Sequence, residues 1–276
     1  MNNTFITSEQ YADITTTLII STYNREDALS ACMDSILHQK VMPTEIVIGD
    51  DGSRDDTACV IREFAERCPI PVKHVWHEDD GFRLAMMRNK AVAASVGEYI
   101  IEADGDLLLH PCFVKDHLMM ARRGYYLKGG RTNINRKLTE RICRSGKSMP
   151  INFLTRGIEK KRSNTLRIPL LARFLSTRYR INRQPGLGCN MSFFRDDFIN
   201  INGYDENFRG WGGEDSDFGR RLQQSGIKKL SLKFAGLCFH LWHEYKDMDN
   251  LQNNREYATR QKPTRCKNGV DKYIER

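Results

Sequence analysis

Four short apolar runs punctuate the first hundred residues, each followed by a stretch with the periodicity of a helix. Thr16–Ser21 (TTLIIS), Glu45–Gly49 (EIVIG), Val72–Trp76 and Glu98–Ala103 (EYIIEA) read as strands, and Ala28–Gln39, Thr57–Arg67 and Leu84–Ser95 read as helices. Strands that are apolar throughout, rather than alternately apolar and polar, are buried on both faces. Interleaved with helices, they predict a Rossmann-like α/β fold: a mainly parallel sheet with helices on both sides. Beyond residue 110 the alternation fades. Ile168–Tyr179 reads as an amphipathic helix, Gly188–Phe194 as a strand, Glu214–Gln224 as a helix behind a glycine-rich turn, and Ser231–His240 as a last strand. From Asp247 the chain is polar and is expected to pack loosely or fray.

At 276 residues and 40% hydrophobic content the chain can bury a sizeable core as one large domain or two small ones, which excludes wholesale disorder. No apolar run approaches the ~20 residues of a membrane span, and no basic start leads into an apolar stretch as in a secretory signal. Eight scattered cysteines with no C-x-x-C pair then read as reduced thiols of a cytoplasmic protein, not as a disulfide frame or a zinc site. Charge is uneven. Residues 122–183 hold thirteen arginines and five lysines against Glu140 and Glu159, a net +16, which leaves −8 for the rest of a chain whose total is +8. Such a block is either a solvated surface or a site for an anionic partner. An anionic membrane surface or a lipid-diphosphate acceptor fits it best, with the apolar side of Ile168–Tyr179 dipping into the interface. No recognisable nucleic-acid module accompanies it, so nucleic acid is not expected as a partner.

In parallel α/β sheets, ligands bind beyond the carboxyl ends of the strands. The first strand runs into Ser21-Thr22-Tyr23-Asn24-Arg25, the second into Asp50-Asp51-Gly52-Ser53 and the fourth into Asp104-Gly105-Asp106. Either acidic turn alone could be an ordinary polar turn capping a helix. Carboxylates at two strand tips of one sheet repel, however, and a divalent cation or a hydroxyl-rich ligand would offset that repulsion.

These residues resemble the family 2 glycosyltransferases of GT-A fold. The resemblance is carried by Leu18–Arg25, Ile46–Ser53, Arg88-Asn89-Lys90-Ala91, and Gly97–Ile101 leading to Asp104-Gly105-Asp106, and covers roughly residues 15–110. It implies a UDP-sugar donor and a nucleotide-sugar half over about 14–110, with Thr22, Tyr23 and Asn24 lining the uridine site, Arg25 also in the nucleotide-sugar site, Asp50 or Asp51 on uracil or ribose, and Arg88 near the nucleotide. Asp104-Gly105-Asp106 would be the DXD motif, Asp106 binding the Mn2+ or Mg2+ that holds the diphosphate.

Gly210-Trp211-Gly212-Gly213-Glu214-Asp215-Ser216-Asp217 resembles the acceptor motif of β-1,4-galactosyltransferases and chondroitin-type polymerases. Its glycines let the backbone approach a sugar, and Trp211 offers a flat face for a pyranose. The resemblance implies that Asp215 is the general base, with Trp211, Gly213 and Glu214 holding the acceptor; Asp217 is the weaker candidate, a first-turn acid. For Phe239-His240-Leu241-Trp242-His243, the same resemblance implies that one histidine completes the metal site, His243 ahead of His240. Residues three apart on a strand point to opposite faces, so both reach one metal only if the chain turns there. Trp76 and Trp242 default to the core.

The expectation is thus a single GT-A domain over 1–276: the donor half, an acceptor half over about 111–246 that contains the basic segment, and a polar tail over 247–276. It would be a metal-dependent, inverting hexosyltransferase acting on a glycan or lipid-linked glycan, cytoplasmic and peripheral at the inner membrane face. A nucleotidyltransferase would need a glycine-rich phosphate loop after the first strand, where Ser21–Arg25 has no glycine. A non-catalytic membrane or polyanion adaptor would use the basic block alone.

Overall fold

The computed structural model describes residues 13–178, 186–244, 250–259 and 263–274. Its centre is a seven-stranded sheet of order β10-β6-β9-β4-β1-β2-β3. The strands β1 (Thr16–Thr22), β2 (Glu45–Asp50), β3 (Val72–Trp76) and β4 (Tyr99–Asp104) are parallel and match the first four apolar runs. β1 and β2 are buried at every position, as continuous apolar runs require. Alternate side chains of one strand feed different cores. Leu18 and Ile20 pack with α1 (Glu26–Leu37) and α2 (Asp55–Arg67) through Leu29, Met33, Ile36, Ile61 and Phe64. Ile19 faces α3 (Leu84–Ala93) on the other side, with Met87 and Ala91.

β9 (Asn190–Phe194), inside the segment predicted as a strand, enters antiparallel between β4 and β6 (Tyr125–Lys128), and β10 (Lys228–Ser231) extends the edge. A second sheet, β5-β11-β7-β8, was not foreseen. It comprises β5 (Leu107–Leu109), β11 (Cys238–His240), β7 (Thr132–Ile134) and β8 (Ile158–Lys160), and packs with α5 (Arg136–Ser145) through Ile134, Leu138, Ile142 and Phe239. The expected strand over Ser231–His240 is therefore two strands in two sheets. Between them Phe234 and Gly236 take left-handed φ values of 64° and 57°, which no strand accommodates.

Of the helix expected over Ile168–Tyr179, α6 spans Pro169–Leu175, opened by its proline; Tyr179 lies outside the described residues. After α4 (Phe113–Met120), α7 (Arg195–Asn200) and α8 (Glu214–Gln224) cover the α3 face through Phe198, Phe218 and Leu222. The expectation of a loose tail fails for its described residues, although Asp247 itself lies outside them. Val270 is fully buried in the α3-side core, and Asn254 of α9 (Leu251–Thr259) donates to the Arg209 and Trp211 carbonyls at 3.0 and 3.3 Å. A few apolar anchors in a polar stretch suffice. Among the described residues, no helix is long and apolar enough to cross a membrane.

Candidate active site

Register fixes the site. Ser21 of β1 pairs with Asp104 of β4, and Thr22 pairs with Asp50 of β2, so the three strand ends converge. A cleft of about 1510 Å³ opens there, and its walls come from both halves of the chain, including Thr22–Arg25, Asp104–Asp106, Trp211–Asp215, His240 and His243.

Asp106 immediately precedes β5, and β5 pairs antiparallel with β11 so that Leu107 faces His240. That register delivers the His240 imidazole to Asp106: Nε2 lies 3.2 Å from Oδ2. The chain leaves the strand at once. The Leu241 N–H donates to the Asp106 carbonyl at 2.9 Å, and the Trp242 N–H donates to Thr139 Oγ1 at 2.8 Å. His243 therefore returns to the same carboxylate, with Nε2 3.3 Å from Oδ2. Both histidines, not His243 alone, meet Asp106, and one ligand atom from each of the three residues falls within 4.8 Å of the others. Burial raises the Asp106 pKa, but the hydrogen bonds from His240 and His243 outweigh it and hold the carboxyl well below its ordinary range. The Asp106 hydrogen bond raises the His243 pKa. Asp106 Oδ1 is buried with no partner among the described residues. An orphaned carboxylate oxygen beside two imidazoles fits a divalent cation.

Arg88, on α3, is 2% exposed and lies behind the cleft. Its Nη2 is 3.2 Å from Asp104 Oδ1, its Nη1 is 3.5 Å from Glu214 Oε1, and its guanidinium stands 5.3 Å from the Tyr204 ring centroid. Tyr204 donates to the buried Glu102 at 2.6 Å. Gly188 lies so close that a Cβ would sit 2.3 Å from Arg88 Nη1. Burial pushes the carboxyls of Glu102 and Glu214 up to about 7; Arg88 draws both down, and the Asp215 charge adds to the rise at Glu214. Burial also raises Asp104, against the pull of Arg88.

Asp215 sits in the first turn of α8 and accepts a hydrogen bond from the Gly188 N–H at 3.2 Å. The helix is capped by Gly213 at φ 99°, in a run with Gly210 and Gly212 that is left-handed at all three positions. This backbone turns Trp211 out into the cleft at 37% exposure. Asp217 points inward to Arg221 at 2.6 Å and to Arg220 at 2.7 Å, a structural first-turn acid.

At the end of β1, Thr22 Oγ1 is buried and unpartnered among the described residues, and the Tyr23 hydroxyl donates to Asp79 at 2.9 Å. Asn24, at φ 46°, clamps the first loop to the second: its N–H donates to Ser53 Oγ, and its Oδ1 accepts from the Arg54 N–H. Arg25 pairs with Asp27 at 3.3 Å, and the Gly105 N–H donates to the Ser21 carbonyl at 2.7 Å. Asp51 accepts from the Arg83 N–H at 2.9 Å and lies 3.2 Å from His77 Nε2; burial pushes its carboxyl up to about 7. Asp50 is a correction. It does not line the cleft but binds the Ser53 N–H and His74 as a turn brace. Trp76 is a second, being 52% exposed with its indole on the Ser53 carbonyl, and Trp242 is a third, half-buried on the cleft wall.

Sequence reasoning missed Phe82, Arg83, Arg131, Arg136 and Arg255, which also line the cleft. The Asp79-Asp80-Gly81-Phe82-Arg83 turn before α3 was a readable signal for the first two, and the basic segment 122–183 contained Arg131 and Arg136 without singling them out; Arg255 had no signal.

A glycosyl transferase family 2 model matches residues 17–188, and an N-terminal domain of galactosyltransferase model matches 169–244. The chain is 28% identical over 229 residues to validoxylamine A glucosyltransferase of Streptomyces hygroscopicus subsp. limoneus, covering 76% of the chain and 48% of that relative. It is 28% identical over 240 residues to the chondroitin synthase of Escherichia coli, covering 81% and 34%. The chain thus spans half or less of the length of these relatives. Among solved structures, mannosyltransferase PcManGT from Pyrobaculum calidifontis, in complex with GDP-Man and Mn2+, superposes with a TM-score of 0.58 at 17% identity, covering 88% of this chain and 61% of that one. Staphylococcus aureus TarS 1–349 in complex with UDP gives 0.54 at 17% identity, covering 82% and 60%. These likenesses share the GT-A architecture, and with the family match extending over most of the chain, the protein belongs to glycosyl transferase family 2.

Proposed function

We propose that the chain transfers a hexose (galactose, N-acetylgalactosamine or glucose) from a UDP-sugar to a sugar hydroxyl of a glycan or lipid-linked glycan, with inversion to a β-linkage. The carrying observation is that Asp106, His240 and His243 converge in the same cleft as Asp215. Asp215 takes the proton of the acceptor hydroxyl as its oxygen attacks the anomeric carbon; the bond to the diphosphate oxygen breaks and its electron pair leaves with UDP. Trp211 stacks on the acceptor ring. Glu214, whose carboxyl is pushed up to about 7 by burial and by the neighbouring Asp215 charge, holds an acceptor hydroxyl. Thr22 and Asp51 offer buried polar atoms to the uridine. Asp106, His240 and His243 would hold the divalent ion, Mn2+ before Mg2+ because two of the three ligands are imidazoles. When bound, that ion neutralises charge on the departing diphosphate.

Residues 14–110 serve the donor and 111–246 the acceptor, and the products are surface glycans assembled at the cytoplasmic membrane face. Support comes from the UDP in the TarS complex and the Mn2+ in the PcManGT complex. The test is Asp215→Asn. Sugar transfer should fall at least ~10²-fold, the lower range for lost general-base help, with UDP affinity nearly unchanged. Near-normal turnover would remove Asp215 from the role. UDP release across a panel of sugar donors identifies the hexose.

A further inference from the structure

Six of the eleven large apolar side chains exposed among the described residues fall between positions 153 and 174: Phe153, Leu154, Leu166, Ile168, Leu170 and Phe174. Leu154 and Leu170 are 85% and 83% exposed, and Phe174 is 60% exposed. Single exposed apolar residues are ordinary on a protein surface; a concentration of them marks a contact site. Leu170 and Phe174 are four apart on α6, hence on one outward face, while Ala172 points inward and is fully buried.

The platform is held in place. Arg162 Nη1 donates to the Phe153 and Thr155 carbonyls at 2.6 and 3.1 Å, which fastens the 153–158 turn to the 3₁₀ turn Arg162–Thr165. Arg167 grips both oxygens of the fully buried Asp116, and the Ile168 N–H donates to the Phe234 carbonyl at 2.9 Å. An arginine fixed on a buried carboxylate at the foot of α6 anchors the helix to the core.

Cations outnumber acids along the same stretch. Arg156, Lys160, Lys161 and Arg178 are exposed there against the single exposed Glu159, the Arg178 guanidinium stands 4.4 Å from the Phe174 ring centroid, and the stretch belongs to the +16 segment. That charge selects the occupant. A second copy of the chain would bring the same positive segment against this one and be repelled. A surface that is apolar inside and anionic at its boundary complements both features.

We infer that this face docks on an anionic phospholipid bilayer, with Leu154, Leu170 and Phe174 entering the interface and these cations at the level of the lipid phosphates. The Asn164 amide donates to the carbonyl of Arg131, a cleft residue, at 3.3 Å, which ties the 3₁₀ turn next to the platform to the cleft. On the proposed function, docking would bring the cleft to lipid-linked acceptors.

The test is co-sedimentation of the full chain with vesicles of phosphatidylcholine alone or with about 30% phosphatidylglycerol. Phosphatidylglycerol-dependent binding that weakens with salt is expected. L154S/L170S/F174S keeps the charge and should lower the partition coefficient at least ~10-fold, since it removes the inserted carbons. Its melting temperature and its UDP release in vesicle-free solution should match the parent; if the triple variant did not fold, the singles L154S and L170S, at nearly free side chains, give the same readout. Binding is measured without substrate, so its failure is separate from failure of the catalytic reading. The inference is overturned if the parent stays in the supernatant with phosphatidylglycerol vesicles. It is likewise overturned if the serine variant binds within about twofold of the parent, or if the patch instead drives dimerisation or a stable protein complex with no vesicle binding.

Discussion

Arg88→Met isolates the electrostatics behind the cleft. The methionine keeps much of the aliphatic volume and removes a cation that is 2% exposed. Asp104, Glu102 and Glu214 would then lose the buried cation that offsets the charge of all three. Removing one partner of a buried pair costs ~3–5 kcal/mol, because a charge stays desolvated and unpaired. The loss must depend on pH. In the parent, the carboxyls of Glu102 and Glu214 lie at about 7, above the ordinary glutamate value of 4.5. The folded state therefore holds more protons than the unfolded chain between those values, and these groups destabilise the fold increasingly as pH rises through that window. Arg88 draws both values down, so the variant raises them further and extends the decline above pH 7. Each added unit is worth ~1.4 kcal/mol. Urea titrations at pH 8 and pH 5.5 should show the larger destabilisation at pH 8. A loss below ~1 kcal/mol at pH 8, or an equal loss at both, would refute the claim that Arg88 neutralises a buried acidic cluster.

Three further outcomes are expected. His243→Ala and His240→Ala should each weaken Mn2+ binding, measured calorimetrically with UDP present, by at least the ~10–100-fold typical of losing even an outer-sphere partner. In the parent that affinity should fall as pH drops and His243, whose pKa is raised by Asp106, takes up a proton. Gly213→Ala should cost ~1–3 kcal/mol in thermal melts, because the position needs φ 99° and its Cβ would stand 2.9 Å from the Phe208 ring; Gly81→Ala, also left-handed but with open space around it, should cost less.

The N-terminal half was legible because its signals are local. A strand buried on both faces advertises itself as an unbroken apolar run, and its acidic tip follows directly, as in Tyr99–Asp104. The glycine-rich turn before α8 was legible through residue types that only an unusual backbone tolerates. Other features were hidden because they depend on partners distant in sequence. Nothing around Arg88 announces that Glu214, 126 residues away, shares its guanidinium. Asp50 and Asp51 are neighbours of the same type, and only the strand's pleat decides which one faces the cleft. Residues 232–237 mimic a strand because Leu232, Ala235 and Leu237 are all buried, although the backbone between them turns. Trp76 looked like core by composition, yet it caps a loop from outside.

The cramped seat of Arg88 limits how this architecture can be recombined. The guanidinium is contributed by one half of the chain, while the carboxylate of Glu214 and the bare backbone of Gly188 that admit it come from the other. A chimera that grafts a foreign C-terminal portion onto this N-terminal one would need a glycine and an acid at those two places. Any other side chain at position 188 would strike the arginine before a new sugar specificity could be expressed.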